Sequence, residues 1–331
     1  MKLATVEHEG RDIVVVRFDD DFAIPISELL RSSPQPKNDS MLSVIEQGEP
    51  LVGELRSALA AAHDEPESVS RLALDDLSWR PPVPRPGKII GVAMNNSASN
   101  ERKVSAPDHP AFFLKPSSCL LGHRQPVRVR PYYGSVHPEP ELAVVMGRST
   151  RDVPAARTME YVFGYSIFDD ITSNGMRAED RFHYWALYAK PDRPDETERV
   201  EQHLSYAARY KGSDGFGVLG PWLTTRDAVA DPDALAVRCK MGGETIADDS
   251  TSYYNYKVAE LVSFISYFQT LEPGDVIACG TAFKPSASRK SIHSANLQRV
   301  DGPIEIEIEN LGTQISPVAV ESTEMGPWRL A

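Results

Sequence analysis

The first eighty residues alternate short apolar runs with acidic or proline-containing breaks. Residues 6–18 and 22–26 are rich in β-branched side chains and flank three aspartates at 19–21, so they predict a β-hairpin with an acidic turn. Residues 41–62 place leucine and isoleucine at helical intervals. These elements predict a small α+β unit at the N-terminus. It contains no cluster of histidine, cysteine or carboxylate residues, so we expect a structural role for it.

A proline-rich stretch at residues 80–87 follows this unit. Extended chain rich in proline is stiff and poor in hydrogen-bond donors, and it is typical of a domain boundary. We therefore predict a small N-terminal domain at residues 1–84 and a larger domain at residues 85–331.

The larger part of the chain is predicted to be mainly β. Apolar runs predict buried strands at residues 88–94, 110–115, 142–147, 162–169 and 275–281. A helix is expected over residues 258–268, and Ile304, Ile306 and Ile308 alternate with glutamates as in an antiparallel strand with one wet face. The glutamates at 305, 307 and 309 are therefore interpreted as solvated, although they resemble a metal cluster. The fold class is α+β with mostly strand.

Composition limits the possible partners. The 331 residues carry 35 Lys+Arg against 47 Asp+Glu, a formal net charge of -12, which argues against nucleic-acid binding because that requires a concentrated basic face. No apolar run is long enough to predict a membrane span. Three single cysteines and an N-terminus without an apolar leader indicate a cytoplasmic protein, with the cysteines as small buried residues.

Two carboxylates, Glu139 and Glu141, stand two residues apart just before an apolar run. On an extended segment they point to the same side, and two like charges held together favour a bound cation. Taken alone the pair is more typical of a solvated strand edge than of a metal site. Asp170, at the end of the next apolar strand, is in a position to complete a site with three acidic side chains. Lys115 lies in an apolar strand and requires a partner.

Several separated stretches, in this order along the chain, resemble the fumarylacetoacetate hydrolase family. They are residues 88–95, 113–122 (FLKPSSCLLG), 137–147 (HPEPELAVVMG), 164–172 (GYSIFDDIT), 211–221, 271–281 (LEPGDVIACGT) and 305–317 (EIEIENLGTQISP). The resemblance covers nearly everything after residue 85. It implies a mixed β-sandwich roll and a homodimer.

The resemblance also implies a divalent metal, usually Mg²⁺ or Mn²⁺, held by Glu139, Glu141 and Asp170. Oxygen ligands with open positions suit such a hard cation. Lys211 matches the family's active-site lysine, and Thr281 matches the position that contacts the substrate carboxylate. His137 lacks a partner at metal-ligand spacing, so we interpret it as structural or as a support for the ligands.

Two departures from the family pattern concern the catalytic residues. Ser99 stands where relatives place a water-activating histidine, and Glu101 falls one residue short of that histidine's usual glutamate partner. Both are kept as candidate catalytic residues with Lys211. His109 is a possible substitute from the same loop, or an ordinary surface histidine.

The second departure follows Asp170, where the family's arginine motif is replaced. Arg177 is in a shifted position from which it could still bind a carboxylate, so it joins Lys115 and Thr281 as a candidate substrate contact. The charged and aromatic segment 173–209 is longer than in relatives and is predicted to leave the core.

The implied activity is chemistry on small 2-oxo acids or 1,3-diketones through an enolate whose charge the metal neutralises. Hydrolytic C–C cleavage of an acylpyruvate-like substrate is the first hypothesis. Isomerisation, tautomerisation, decarboxylation or dehydration is the second, since none of these requires the activated water that the missing histidine would supply. A metal-binding protein without catalysis is the third.

Overall fold

The computed structural model describes residues 1–31, 40–97, 100, 103–284 and 291–322. Its strands are β1 (Lys2–His8), β2 (Arg11–Arg17), β3 (Phe22–Pro25), β4 (Leu72–Ala73), β5 (Ser78–Trp79), β6 (Ile89–Ala93), β7 (Ala111–Lys115), β8 (Leu120–Leu121), β9 (Val127–Val129), β10 (Val136–His137), β11 (Pro140–Met146), β12 (Val162–Asp169), β13 (Thr172–Ser173), β14 (Arg181–Lys190), β15 (Arg193–Ser205), β16 (Gly217–Leu219), β17 (Leu223–Thr225), β18 (Ala236–Met241), β19 (Glu244–Ser250), β20 (Val276–Thr281), β21 (Ile304–Ile308), β22 (Gly312–Ser316) and β23 (Val318–Val320). Its helices are α1 (Ile26–Leu29), α2 (Met41–Gln47), α3 (Glu49–Asp64), α4 (Ala155–Thr158), α5 (Asn174–Glu179), α6 (Ala208–Gly212) and α7 (Val258–Phe268). The predicted α+β fold with mostly strand is confirmed.

The N-terminal hairpin is confirmed, and a second turn precedes it. Strands β2 and β3 pair across the predicted acidic turn, where the Asp19 carboxylate accepts hydrogen bonds from the backbone N–H groups of Asp21 and Phe22. The predicted run from residue 6 to 18 is in fact two strands, β1 and β2, which turn at Gly10 with a φ of 76°. Glycine adopts that conformation at little cost, and this turn signal was overlooked.

The predicted helix over residues 41–62 is two helices. The chain breaks at Gly48, whose φ of 62° ends α2 and begins α3. The apolar positions keep their helical spacing on both sides, so Val44, Ile45 and Leu55 are all buried. Periodicity predicted the buried face correctly. The position of Gly48 sets the point at which one helix ends and the next begins.

Strands β11, β12 and β20 form the centre of a 13-stranded sheet. Strand β11 pairs antiparallel with β12 on one side and with β20 on the other. Every residue of β11 and of β12 is buried, which explains why both read as nearly continuous apolar runs. Their carboxylate residues, Glu141 and Asp169, stand where β11 begins and where β12 ends.

The N-terminal strands continue this sheet, because β1 pairs with β17, which in turn pairs with β12. Leu3 and Val16 also belong to the same buried cluster as Ala143 and Phe168 of the central strands. The division between residues 84 and 85 stays a prediction. Whatever its outcome, the two parts share a sheet and a core.

A second sheet of four strands, ordered β19-β18-β21-β22, carries the alternating isoleucine and glutamate pattern. In β21 the isoleucines are buried, Glu307 is exposed and Glu305 is partly exposed, as predicted. All three cysteines are buried and free, also as predicted.

Segment 173–209 leaves the core as a long hairpin, β14–β15, after the short helix α5. No helix in the described parts of the chain is long and apolar enough to cross a membrane.

We expect Gly164→Ala to destabilise the protein. Gly164 in β12 faces Thr225 of β17, and a Cβ added there would lie 2.2 Å from the Thr224 carbonyl oxygen. The clash is with the backbone of a paired strand in the central sheet, which cannot move aside as a flexible side chain could. We therefore expect the free energy of unfolding to fall by about 2 kcal/mol or more. Urea denaturation measures this.

Gly53→Ala is the matched control. A Cβ on Gly53, inside α3, would meet nothing within 4 Å. Helix propensity predicts a gain of roughly 0.5–1 kcal/mol for this variant. Equal unfolding free energies for the two variants would contradict the close approach of β12 and β17.

Candidate active site and metal centre

The three predicted acidic ligands meet where β11 begins and β12 ends. Glu139 precedes β11 and Glu141 is its second residue, while Asp170 directly follows β12. The backbone N–H of Asp170 donates to the Glu139 carbonyl at 3.0 Å, which continues the strand pairing to this point. One oxygen from each of the three carboxylates lies within 4.8 Å of the others. The register of β11 and β12 therefore assembles the site.

The site has the chemistry of a cation site. Glu141 is fully buried, and its only strong hydrogen bond in the described structure comes from the Gly280 backbone N–H at 2.9 Å. Burial and the neighbouring charges of Asp170 and Glu139 raise the pKa of Glu141 well above its ordinary value. A divalent cation would relieve this repulsion, and three oxygen donors are what Mg²⁺ or Mn²⁺ favours. These residues fit such an ion.

Lys211, on α6, is the ammonium group that faces these carboxylates from the cavity side. Its Nζ donates to Glu139 Oε2 at 2.9 Å and to Asp170 Oδ2 at 2.5 Å. Burial by itself lowers the pKa of Lys211. The negative charges of Asp170 and Glu139 have the larger combined effect and raise that pKa. Burial likewise opposes ionisation of Glu139, while Lys211 and His137 hold its pKa well below the usual range. Lys211 and Glu139 thus favour each other's ionised form.

Lys115 lies behind the ligands and outside the cavity wall. Its side chain is fully buried, with Nζ 2.5 Å from Asp170 Oδ1 and 2.9 Å from the Phe216 carbonyl oxygen. It also donates to the carbonyl of Lys211. The partner that the sequence required for this lysine is thus Asp170. This position outside the cavity does not favour the predicted role of Lys115 as a substrate contact. It suits a residue that holds Asp170 and α6 in place.

Thr281 and Arg177 border the cavity above the carboxylates. Thr281 ends β20, opposite Glu141 in the strand register, and its hydroxyl is 3.4 Å from Glu139 Oε2. Arg177, on α5, lies in the wall of the same cavity of about 380 Å³. The cavity is open enough for a small molecule, with Phe113 and Ile292 among its apolar walls. The structure brings both predicted substrate contacts to one space.

The predicted catalytic-loop residues Ser99 and Glu101 lie outside the described residues. His109, the possible substitute, is exposed and stacks on Phe264 with ring centroids 5.5 Å apart. It is not in the cavity wall, so the interpretation as a surface histidine is the better one.

Three residues near the site were missed or only partly interpreted. His137 is buried with Nε2 3.0 Å from Glu139 Oε1, which agrees with its interpretation as a support for that ligand. His293 was not predicted: its ring lies 4.7 Å from that of His137, and it forms part of the cavity wall. Asp169 was also missed. It is fully buried and accepts the backbone N–H of Glu139 at 2.9 Å, and burial raises its pKa to about 8.

The local sequence carries little signal for His293 and a clearer one for Asp169. His293 follows residues 285–290, which lie outside the described structure, and nothing in its local sequence marks it. The pair Asp169 and Asp170 did carry a signal, since consecutive residues of an extended segment point to opposite sides. Asp170 accordingly faces the two lysines, while Asp169 turns back to the chain before β11.

Comparison with known proteins agrees with this geometry. The sequence model of the fumarylacetoacetate (FAA) hydrolase C-terminal domain matches residues 88–319. The chain belongs to the fumarylacetoacetate hydrolase family. The match includes Glu139, Glu141, Asp170, Lys211 and Thr281, and the family resemblance of the sequence motifs is confirmed.

Family members of known activity are similar over most of the chain. A human mitochondrial oxaloacetate tautomerase is 30% identical over 280 residues, 84% of this chain and 79% of the relative. A maleylpyruvate hydrolase of Aquipseudomonas alcaligenes is 33% identical over 246 residues, 70% of this chain and 76% of the relative. These two relatives are enzymes, and they differ in reaction.

Solved structures of the family share the fold. The maleylpyruvate hydrolase from Sphingobium, in complex with manganese(II) and pyruvate, aligns with a TM-score of 0.68 at 27% identity, covering 97% of this chain and 99% of its own. A fumarylacetoacetate hydrolase from Exiguobacterium antarcticum aligns with a TM-score of 0.71 at 26% identity, covering 97% of this chain and 100% of its own. A relative with this fold thus binds a divalent metal.

We expect Glu141→Gln to weaken Mn²⁺ binding strongly. The substitution keeps the side-chain shape but removes a buried negative charge from the three-carboxylate group. Since even supporting residues of metal sites affect affinity by roughly 10–100-fold, loss of a direct ligand should cost on the order of 100-fold or more. Isothermal titration with Mn²⁺ measures the change.

Glu307→Gln is the control, because Glu307 is an exposed glutamate on β21. It should bind Mn²⁺ like the parent protein. Unchanged Mn²⁺ affinity in Glu141→Gln would refute the ligand assignment.

Proposed function

We propose that the protein is a divalent-metal-dependent enzyme that converts a small dicarboxylic 2-oxo acid through an enolate. The observation that supports this is the convergence of three carboxylates and the Lys211 ammonium, with Glu139, Glu141 and Lys211 lining a cavity of about 380 Å³. The three carboxylates would be the ligands for a metal. Lys211 would be a proton-bearing cation beside the carbon and oxygen atoms of the substrate that react.

Each residue has a distinct role in this proposal. Glu139, Glu141 and Asp170 would hold Mg²⁺ or Mn²⁺, which would supply a Lewis acid for the ketone oxygen. Lys211 stabilises the negative charge that develops as the enolate forms, because its ammonium already lies among the ligands. The Thr281 hydroxyl donates to the carboxylate next to the ketone, which orients the substrate in the cavity.

The chemical class of the substrate is supported by two groups of relatives. Oxaloacetate and maleylpyruvate are both 2-oxo acids with a second carboxylate at the far end. Arg177 lies in the cavity wall and supplies a positive charge for that second carboxylate. A substrate of this kind would therefore be fixed at both ends, by Thr281 and by Arg177.

Two reactions share the enolate. Hydrolytic C–C cleavage of an acylpyruvate-like substrate is the first candidate, supported by similarity to two maleylpyruvate hydrolases. Keto–enol tautomerisation of an oxaloacetate-like substrate is the second, supported by similarity to oxaloacetate tautomerases and by the serine at position 99 in place of the family's histidine. Tautomerisation requires proton transfer alone, so it does not depend on that histidine.

We further propose a cytoplasmic homodimer. The reducing cytoplasm suits three buried free cysteines, and the homodimer follows the family resemblance.

The proposal is tested by incubating the Mn²⁺-loaded protein with acylpyruvates and with oxaloacetate in ¹⁸O-labelled water. We expect loss of enol absorbance for at least one of these substrates. Label in a carboxylate product identifies hydrolysis, and enol loss without cleavage identifies tautomerisation. Lys211→Met should lower kcat by on the order of 100-fold, as for loss of a group that stabilises developing charge. A protein that binds Mn²⁺ but transforms no substrate of this panel would contradict the proposal.

Arg177→Gln tests the proposed contact with the second carboxylate. Removing one cation from the cavity wall should raise KM for dicarboxylic substrates about tenfold or more, with a smaller change for acylpyruvates that have a neutral acyl end. Steady-state kinetics on matched pairs of substrates gives the ratio. An equal rise in KM for both classes would place Arg177 elsewhere in the mechanism.

A further inference from the structure

A second group of potential metal ligands lies beside the three carboxylates. His137, Glu139 and His293 each place one ligand atom within 4.8 Å of the other two. Two histidines and one carboxylate are a donor set that transition metals bind in proteins, because imidazole nitrogen suits zinc, iron and copper ions. The three carboxylates offer oxygen donors alone, so the two groups favour different ions.

The fold brings these residues together from two distant parts of the chain. His137 ends β10 and Glu139 follows two residues later, so an extended backbone turns both side chains to one side. His293 lies in a short 3₁₀ turn, Ile292–Ser294, where the Ser291 hydroxyl accepts the backbone N–H of His293 at 3.3 Å. The partner that His137 lacks in its own stretch of sequence is therefore supplied by this turn.

The distances between the donor atoms suit a common ion. Nε2 of His137 lies 3.0 Å from Oε1 of Glu139, and Nε2 of His293 lies 3.8 Å from the same oxygen. Bonds from zinc to nitrogen or oxygen are about 2.1 Å long, so donors that share one ion stand roughly 3–4 Å apart. Both measured separations fall in this range.

The two oxygens of Glu139 face different neighbours. Oε1 lies against the two histidines and accepts a hydrogen bond from the Thr172 hydroxyl at 3.1 Å. Oε2 accepts a hydrogen bond from the Lys211 ammonium at 2.9 Å, and the Thr281 hydroxyl lies 3.4 Å from it. One carboxylate can therefore serve both groups of ligands, with a different oxygen for each.

We propose that His137, Glu139 and His293 form a second metal site, which binds Zn²⁺ and shares Glu139 with the three-carboxylate site. The ion would bind through Nε2 of each histidine and Oε1 of Glu139. Its remaining coordination positions would open to the cavity, because His293 lies in the cavity wall whereas His137 is fully buried. This site goes beyond the proposed function, since neither candidate reaction requires it.

Metal binding places the ring proton of His137 on Nδ1. A histidine nitrogen that binds a metal carries no proton, so Nε2 gives up its hydrogen bond to Glu139. On the other side of the ring, Nδ1 lies 3.3 Å from the side-chain amide nitrogen of Asn174. Rotation of that amide by about 180° presents its oxygen to the Nδ1 proton, and metal-binding histidines usually have such a support.

Charge and ligand type together determine which ion this site prefers. Glu139 is the one anionic donor of the three, and the Lys211 ammonium lies 2.9 Å from the other oxygen of that carboxylate. Electrostatic attraction is therefore weak, and binding depends on bonds from imidazole to the metal, which are stronger for Zn²⁺ than for Mn²⁺. We expect Mg²⁺ to bind at the three carboxylates and not here, because it prefers oxygen donors.

The test compares the parent protein, His293→Ala and His109→Ala by isothermal titration with Zn²⁺. His109 is exposed and lies outside the cavity wall, so His109→Ala is the matched control. We expect the parent protein and His109→Ala to bind two Zn²⁺ per chain. In His293→Ala the second Zn²⁺ should bind on the order of 100-fold more weakly, because one direct ligand is lost. Unchanged Mn²⁺ affinity at the three carboxylates verifies that His293→Ala is folded.

A parent protein that binds fewer than two Zn²⁺ per chain would overturn the proposal, and so would two Zn²⁺ bound as tightly in His293→Ala as in the parent. Neither result contradicts the proposed function if Mn²⁺ still binds at the three carboxylates. If His293→Ala does not fold, X-ray absorption at the zinc edge of the parent protein with two equivalents of Zn²⁺ decides. We expect about one imidazole nitrogen per zinc on average, and oxygen ligands alone would overturn the proposal.

Discussion

The structure around the site depends on the repulsion between three clustered carboxylates and on the two ammonium groups that offset it. Glu141 and Asp170 are buried and Glu139 is only slightly exposed, so like charges repel strongly there. Lys211 balances them from the cavity and Lys115 from the core. Burial and the charges of Asp170 and Glu139 still raise the pKa of Glu141, and a bound divalent cation would favour its ionised form.

The proposed metal ligands and the proposed substrate-binding groups lie on different elements of the structure. Glu139, Glu141 and Asp170 stand at the ends of strands in the central sheet, whose backbone pairing fixes them. Backbone groups complete the support: Gly280 donates to Glu141, and Asp169 accepts from the Glu139 backbone. The groups proposed to bind substrate are instead spread over a strand end and two short helices. A rigid sheet holding the metal ligands, with separate elements holding the substrate, explains how relatives sharing this fold catalyse different reactions.

Helices α5 and α6 also connect the site to the exposed hairpin. The chain leaves the site at α5, forms β14 and β15, and returns at α6 with Lys211. An insertion at this point changes one wall of the cavity without disturbing the acidic ligands, because those depend on the register of β11 and β12.

The sequence by itself determined the strands that end in carboxylates, the burial of the alternating isoleucines and, with the family resemblance, the group of Glu139, Glu141, Asp170, Lys211 and Thr281. These follow from local periodicity and short motifs, which depend on neighbouring residues only. It did not determine the turn at Gly10 as opposed to one continuous strand, the position of Lys115 behind Asp170, or the presence of His293 beside His137. The contacts of Lys115 and His293 join residues far apart in the chain, so the pairing of strands and the packing of loops around them decided the outcome, whereas the turn at Gly10 is local and its glycine is a signal in the sequence. The sequence predicted that segment 173–209 leaves the core, but only the tertiary structure shows that it does so as the hairpin β14–β15, because the pairing of one strand with another is not set by either strand alone.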